Sequence, residues 1–354
     1  MNNGIFENIR RIEGYQPGEF VNSSYTIKLN TNENSFPPSP KVKETINLFN
    51  IDTLARYPNS DSYDLKRELS KYYALKEQNV FVGNGSDEVL ALCFLAFFNS
   101  NKPVLFPDIT YNFYKVWCRL FNIKYSEIPL NNNFEISPDG YICNNGGIVI
   151  ANPNSPTGIY MNIDAIKSLL EKNLHSIVIV DEAYIDFGGE SVVQFVNQFE
   201  NLIIVQTFSK YRSMAGVRIG YALGNPRLIK VLDTVKNSFN SYPVDSISQS
   251  IGIAALSDDV YYRECANIIS GLRDEFINKL DDLGFSTLPS KTNFIFTKHN
   301  TIKADYVYQY LKENQIYVRY FDQHRIDEFL RITIGTENEM NILYSKLLDL
   351  CNKS

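Results

Sequence analysis

The sequence predicts an α/β fold in which a mostly parallel central sheet is flanked by helices and joined to a smaller α+β domain. From about Val80 to Tyr221 a short apolar run, a polar loop and a helical stretch recur in that order. This is the pattern of strands buried on both faces and linked by crossover helices. The glycines, carboxylates, hydroxyls, lysine and arginine that could do chemistry follow their apolar runs, as expected where ligands gather beyond the carboxyl ends of the strands. At 354 residues the chain also exceeds the roughly 250–300 residues beyond which a single core divides.

The first run, Val80-Phe81-Val82, leads into Gly83-Asn84-Gly85-Ser86-Asp87-Glu88 and a helical stretch over 87–97. Free amides at a helix start, beside glycines that admit an anion, make a phosphate cradle. Glutamate stands where a dinucleotide fingerprint wants glycine, and no Gly-Lys-Ser/Thr follows, so neither nucleotide motif is present. The competing reading is a plain helix start capped by Ser86 or Asp87. The second run, Val104-Leu105-Phe106, ends near Tyr111, which can stack on a flat ligand. The third, Ile148-Val149-Ile150, precedes Asn152-Pro153-Asn154-Ser155-Pro156-Thr157-Gly158.

The fourth run delivers Asp181, followed by Glu182-Ala183-Tyr184, and the fifth delivers Thr207-Phe208-Ser209-Lys210, with Arg218 one short loop further. A lysine can form an imine with an aldehyde, while an arginine and hydroxyls hold a phosphate. A carboxylate set against a pyridinium nitrogen keeps it protonated and makes the ring an electron sink. Asp181 and Lys210 therefore suit opposite ends of pyridoxal 5'-phosphate. Arg218, Ser209 and Thr207 could each add a bond to its phosphate, worth about 1.5–3 kcal/mol where charge assists. Taken singly, Arg218 reads equally as a structural ion pair, and any of the 23 tyrosines as packing.

Beyond a helical stretch over 226–239 the character changes. An amphipathic helix over 262–283 ends at Gly284, strands follow over 293–296, 316–319 and 329–334, and a helix over 337–351 closes the chain. The expected organisation is an amino-terminal segment (1–35) joining the small domain, a large cofactor-binding domain (36–245) and a small carboxy-terminal α+β domain (246–354).

The net charge of −6, without a long basic run or zinc spacing, argues against nucleic acid and metal. Five scattered cysteines fit reduced thiols. No basic-then-apolar leader or bilayer-length apolar stretch is seen, so a cytoplasmic protein without a membrane role is expected. His175, His299 and His324 are the only histidines, and all lie outside the motif-rich loops, so proton transfer falls to another group.

With these residues in place, the chain resembles the class I/II aminotransferases of the pyridoxal-phosphate fold type I superfamily, and among them the histidinol-phosphate aminotransferase group. The resemblance runs nearly end to end through Tyr15-Gln16-Pro17-Gly18, Leu29-Asn30-Thr31-Asn32-Glu33-Asn34, Arg56-Tyr57-Pro58, 83–88, 152–158, 181–184, Ser209-Lys210, Arg218 and 330–336. It implies Lys210 as the Schiff-base lysine, Asp181 as partner of the pyridine nitrogen and Tyr184 as ligand of the phenolic oxygen. It further implies Gly85, Ser86, Ser209 and Arg218 around the phosphate, Asp87 joining through its backbone, and Tyr111 over the ring. Tyr57 would reach in from the neighbouring subunit of a homodimer with shared active sites.

For substrates the resemblance implies Arg331 as the grip on an anionic group, Arg319 as a second anion ligand and Tyr15 near a substrate phosphate. One departure stands out. Relatives carry Asn-Asn-Pro-Thr-Gly where this chain has Asn154-Ser155-Pro156-Thr157-Gly158, so the asparagine that meets the phenolic oxygen is displaced by one. The expectation is that Asn154 reaches that oxygen through a shifted loop, with Ser155 as the alternative. The implied activity is histidinol-phosphate:2-oxoglutarate amino transfer in histidine biosynthesis, with histidinol phosphate or imidazole-acetol phosphate and glutamate or 2-oxoglutarate as small-molecule substrates. An aromatic aminotransferase, a threonine-phosphate decarboxylase and a noncatalytic ligand binder of the same fold are the alternatives.

Overall fold

Short apolar runs become strands and amphipathic runs become helices along the whole chain, whose computed structural model describes residues 7, 9–15, 18–19 and 25–353. Gln16 and Pro17 of the first quoted motif lie outside the described residues. The strands are β1 (Ile27–Lys28), β2 (Val80–Gly83), β3 (Val104–Pro107), β4 (Tyr125–Ile128), β5 (Gly147–Ala151), β6 (Val178–Asp181), β7 (Leu202–Thr207), β8 (Gly220–Gly224), β9 (Phe285–Thr287), β10 (Phe294–His299), β11 (Ile316–Tyr317), β12 (Arg319–Tyr320) and β13 (Leu330–Thr333). The helices are α1 (Pro40–Leu48), α2 (Tyr63–Tyr72), α3 (Gly85–Phe97), α4 (Phe113–Phe121), α5 (Ile163–Lys172), α6 (Pro226–Phe239), α7 (Ser246–Leu256), α8 (Asp259–Asp282), α9 (Ala304–Glu313) and α10 (Glu337–Cys351).

Seven strands form the main sheet in the order β2-β8-β7-β6-β5-β3-β4. All are mutually parallel except β8, which runs antiparallel to both neighbours. Alternate residues leave the sheet on opposite sides. Ile148, Ile150, Val178, Val180, Leu202 and Ile204 join one core with Leu65, Leu69, Ile166 and Ile269. Phe81, Phe106, Val149, Ile179, Ile203 and Val205 join another with Phe94, Trp117 and Leu232. Both faces being covered is the reason these strands read as unbroken apolar runs rather than alternating ones.

Local signals set several boundaries. In α6 the Asn225 side chain accepts from the Arg227 amide and Pro226 takes the first turn, where its missing N–H is harmless, so the helix spans the stretch the sequence predicts. α3 starts two residues before the expected 87, with Asn84 flanking it and making no side-chain cap; the Glu88 carboxylate instead accepts from the Asn84 amide at 2.6 Å. Ser86 and Asp87 thus lie inside the first turn, and the capping alternative for them is not met.

A second, wholly antiparallel sheet has the order β12-β13-β10-β9, while β1 pairs in parallel with β11. The expected strand over 316–319 is therefore two short ones facing different partners, with buried Val318 between them. The amide of Thr333 also donates to the carbonyl of Leu29 at 3.0 Å, so the segment after β1 lies beside β13. No helix among the described residues is long and apolar enough to cross a membrane.

Candidate active site

The carboxyl ends of β2, β3, β5, β6 and β7 point to one edge of the main sheet. Because β8 is antiparallel, its first residue Gly220 lies opposite both Gly83 and Thr207, which brings Arg218 to that same edge. The polar residues there line a cavity of about 500 Å³. Asn30 to Glu33 and Arg319, Phe321 and Arg331 of the second sheet close its other side.

Lys210 and Asp181 both line this cavity, carried by neighbouring parallel strands. The Lys210 ammonium donates to the carbonyl of Thr31 at 3.2 Å and sits 5.6 Å from the centre of the Tyr184 ring. The side chain of Asn34 holds the Lys210 carbonyl at 2.9 Å. Asp181 is only 6% exposed, and its carboxylate accepts from Tyr114 at 2.8 Å and from the Ala183 amide at 3.2 Å. Burial nonetheless pushes its carboxyl up to about 6, because desolvation disfavours the charged form more than these donors favour it. A cationic group in the cavity would restore the charge.

At the amino end of α3, Gly85 adopts φ +81°, and a Cβ there would lie 2.6 Å from an Arg218 nitrogen. Glycine is needed for the backbone shape and for the close approach alike. Arg218 donates to Asp87 at 3.1 Å and reaches the Ser209 hydroxyl at 3.5 Å. Asp87 also accepts from the Tyr111 hydroxyl at 2.7 Å, so its carboxylate anchors the arginine and the aromatic ring. Ser86, Tyr111, Ser209 and Arg218 all line the cavity.

Three expected ligands are absent from the lining: Gly85, whose backbone lies against Arg218, and Asn154 and Tyr57. Asn154 is absent from the lining; its amide nitrogen donates to the Ile109 carbonyl at 2.9 Å and Thr157 at 3.0 Å, while its oxygen accepts from Thr110 at 2.8 Å. With both N–H groups donated and the oxygen accepting from Thr110, Asn154 pins the loop, and Ser155 is the residue of this pair that lines the cavity. This placement favours Ser155, the alternative, over Asn154. Tyr57 is 82% exposed, stacks on Tyr242 at 4.7 Å and does not line the cavity of its own chain.

Arg331 donates to the Asn30 carbonyl at 3.0 Å and to Ser155 at 3.3 Å, but its buried Nε has no partner. Arg319 is its direct cross-strand neighbour. Like charges so placed repel, an arrangement that an anionic ligand would relieve. Tyr15 lines the same side and stacks on Phe113 at 4.2 Å.

Sequence reasoning missed three residues of this site. Tyr114, the donor to Asp181, lies 67 positions away from it in the chain, and nothing local marks it. Asn32 and Thr31 sit in a quoted motif, yet their bonds to Tyr184 and Lys210 depend on where that segment crosses the sheet edge. The donor set fits pyridoxal phosphate. A buried carboxylate, a primary amine and a cation beside helix-start amides surround one cavity, and the unpartnered Arg331 Nε leaves polar capacity beside it.

The family described as Aminotransferase class I and II matches residues 25–347. A histidinol-phosphate aminotransferase of Clostridium beijerinckii is 47% identical over 96% of this chain and 95% of its own length. One from Lactococcus lactis subsp. cremoris is 48% identical over 94% of each. Among solved structures, the histidinol-phosphate aminotransferase from Sinorhizobium meliloti in complex with pyridoxal-5'-phosphate superimposes with a TM-score of 0.85 at 23% identity, covering 92% of this chain and 91% of that one. At that identity the likeness is one of fold.

Proposed function

The chain belongs to the class I and II aminotransferase family, and from that premise we propose that it is a pyridoxal-phosphate-dependent histidinol-phosphate aminotransferase with 2-oxoglutarate as the partner acid. The observation that carries this reading is the 47% identity with a histidinol-phosphate aminotransferase over nearly the whole of both chains. The two adjacent arginines at the far side of the cavity support it, since a phosphate and a carboxylate must both find cations.

In this reading the bound cofactor supplies an electron sink, and the chain supplies position and proton movement. Lys210 would hold the cofactor between turnovers and carry the substrate proton on its amine. Asp181, once ionised, would pair with the ring nitrogen, and Tyr114 orients its carboxylate. Tyr184 and Ser155 would meet the phenolic oxygen. Ser86, Ser209, Arg218 and the backbone of 85–87 would hold the phosphate, and Tyr111 would cover the ring. Arg331, Arg319 and Tyr15 take the anionic groups of the substrate.

The direct test is purified protein with histidinol phosphate and 2-oxoglutarate, read as glutamate formed. Release of carbon dioxide from threonine phosphate without amino transfer would overturn the assignment. Arg218→Ala is expected to weaken cofactor retention by roughly 10–100-fold, the worth of one charge-assisted bond. Equilibrium dialysis against pyridoxal phosphate measures it, and unchanged retention removes Arg218 from the phosphate site.

We also propose a homodimer. Tyr57 extends a segment on which Leu48, Ile51 and Leu54 are exposed, as a buried subunit face would require. Tyr57 would then complete the cavity of the partner. Sedimentation beside activity checks this: the two should fall together on dilution, whereas a fully active monomer ends the shared-site proposal.

A further inference from the structure

We propose that Asn32 is a positioning residue that aims the Tyr184 hydroxyl proton into the cavity, and thereby tunes the proton affinity of the bound cofactor; this rests on the reading of Tyr184 as ligand of the phenolic oxygen. Asn32 is buried, with φ 54°, a left-handed conformation that asparagine tolerates better than most residues. Each of its four polar atoms has a partner. The amide N–H donates to the Thr333 hydroxyl at 3.0 Å, that hydroxyl donates to Asn32 Oδ1 at 3.1 Å, and the Asn32 carbonyl accepts from Asn293 at 3.1 Å. Asn32 Nδ2 donates to the Tyr184 oxygen at 3.0 Å.

The sense of this chain of bonds follows from the orientation of the Asn32 amide. Thr333 accepts the backbone N–H of Asn32 and donates its own proton to Asn32 Oδ1, an acceptor that a flipped amide would take away. The amide oxygen faces Thr333 and the nitrogen faces Tyr184. Tyr184 must accept from Asn32, and its single hydroxyl proton is left for the cavity that it lines. An oxygen that accepts one hydrogen bond becomes a stronger donor in the next. A donor to the phenolic oxygen stabilises negative charge there and lowers the proton affinity of the conjugated system.

The ring of Tyr184 is held separately, edge-on to Phe294 at 5.1 Å, so loss of Asn32 moves the proton rather than the ring. The charged and titratable groups that line the cavity with Tyr184 are Lys210, Asp181, Arg331, Tyr111, Glu33, Asp87, Arg218, Arg319 and Tyr15, with Tyr114 behind Asp181. All of them stay in place in the variants that follow.

The test is a pH titration of the visible absorbance of the bound cofactor in four holoenzymes: parent, Asn32→Gly, Tyr184→Phe and the double variant. Glycine keeps the positive φ without strain. Tyr184→Phe should raise the apparent pKa of the chromophore, and Asn32→Gly should raise it by about half a pH unit, the share of one neutral hydrogen bond. The double variant should titrate with Tyr184→Phe. Thr333→Val, nearly isosteric, should give a smaller rise in the same direction and serves if Asn32→Gly does not fold.

Asn32→Gly and Thr333→Val titrating as the parent, while Tyr184→Phe rises, would sink the proposal and leave the Tyr184 reading standing. An equal rise from Asn32→Gly in the Tyr184→Phe background would also overturn it, since the effect would not pass through the phenol. No shift in Tyr184→Phe itself would bring down the underlying reading. A purely structural Asn32 would lower the melting temperature and leave the titration where it was.

Discussion

Lys210→Ala is expected to abolish multiple turnover, with a loss of about 10⁴-fold or more, because one change removes both the covalent anchor and the group that moves the proton. The location of Lys210 makes the loss hard to compensate. It lines the cavity just beyond the carboxyl end of β7, its carbonyl pinned by Asn34 and its ammonium resting on the Thr31 carbonyl. Among the residues lining the cavity it is the one lysine, and no histidine stands with it. The carboxylates present, Glu33, Asp87 and Asp181, are each engaged by other groups. Borohydride should cease to tie the cofactor covalently to the chain, as mass spectrometry of the reduced protein would record. A covalent adduct persisting in the alanine variant would mean that another residue is the anchor.

Asp181→Asn should cost roughly 10²–10³-fold in turnover, the usual effect of removing one preorganised electrostatic partner from a reacting group. Its effect on stability should have the opposite sign. The Asp181 carboxyl is pushed from 3.8 up to about 6 by burial, so between those values the folded chain holds a proton that the unfolded chain has released. Stability of the cofactor-free protein therefore falls as pH rises through this window. The variant lacks that slope, and above it should exceed the parent by on the order of 3 kcal/mol.

Neighbouring Glu182, pushed up to about 7 despite donors from Ser191, Val192 and Gln206, remains in both proteins and supplies a common background slope. Thermal melts of cofactor-free protein from pH 4 to 8 read the difference. Bound cofactor gives the Asp181 carboxylate a cationic partner, so the parent holoenzyme should not show the same decline. Identical slopes in parent and variant would mean that Asp181 is ordinarily solvated.

The most legible parts of the molecule were those decided by local chemistry. Strands β2, β3, β5, β6 and β7 announce themselves as apolar runs because helices cover both faces, and α6 announces its start through Asn225 and Pro226. Asp181 and Lys210 could be singled out because each closes or shortly follows such a run, and Arg218 because it stands one short loop further. Asn154 shows where that reasoning stops. Its type suits a ligand, yet its side chain is tied to Thr110, Ile109 and Thr157, and only three-dimensional placement distinguishes a ligand from a loop pin.

What the sequence by itself determined, then, was the series of strands, the polar segments that follow them, and the presence of a lysine and an acid at neighbouring strand ends: properties that depend on residues adjacent in the chain. Tertiary structure alone decided the reversal of β8 that brings Arg218 beside Gly85, the pairing of Tyr114 with Asp181, and the passage of Asn32 between Thr333 and Tyr184. Those contacts span from 67 to 301 positions of sequence. A hydrogen bond depends on separation in space, and over such distances the packing of the sheets sets that separation.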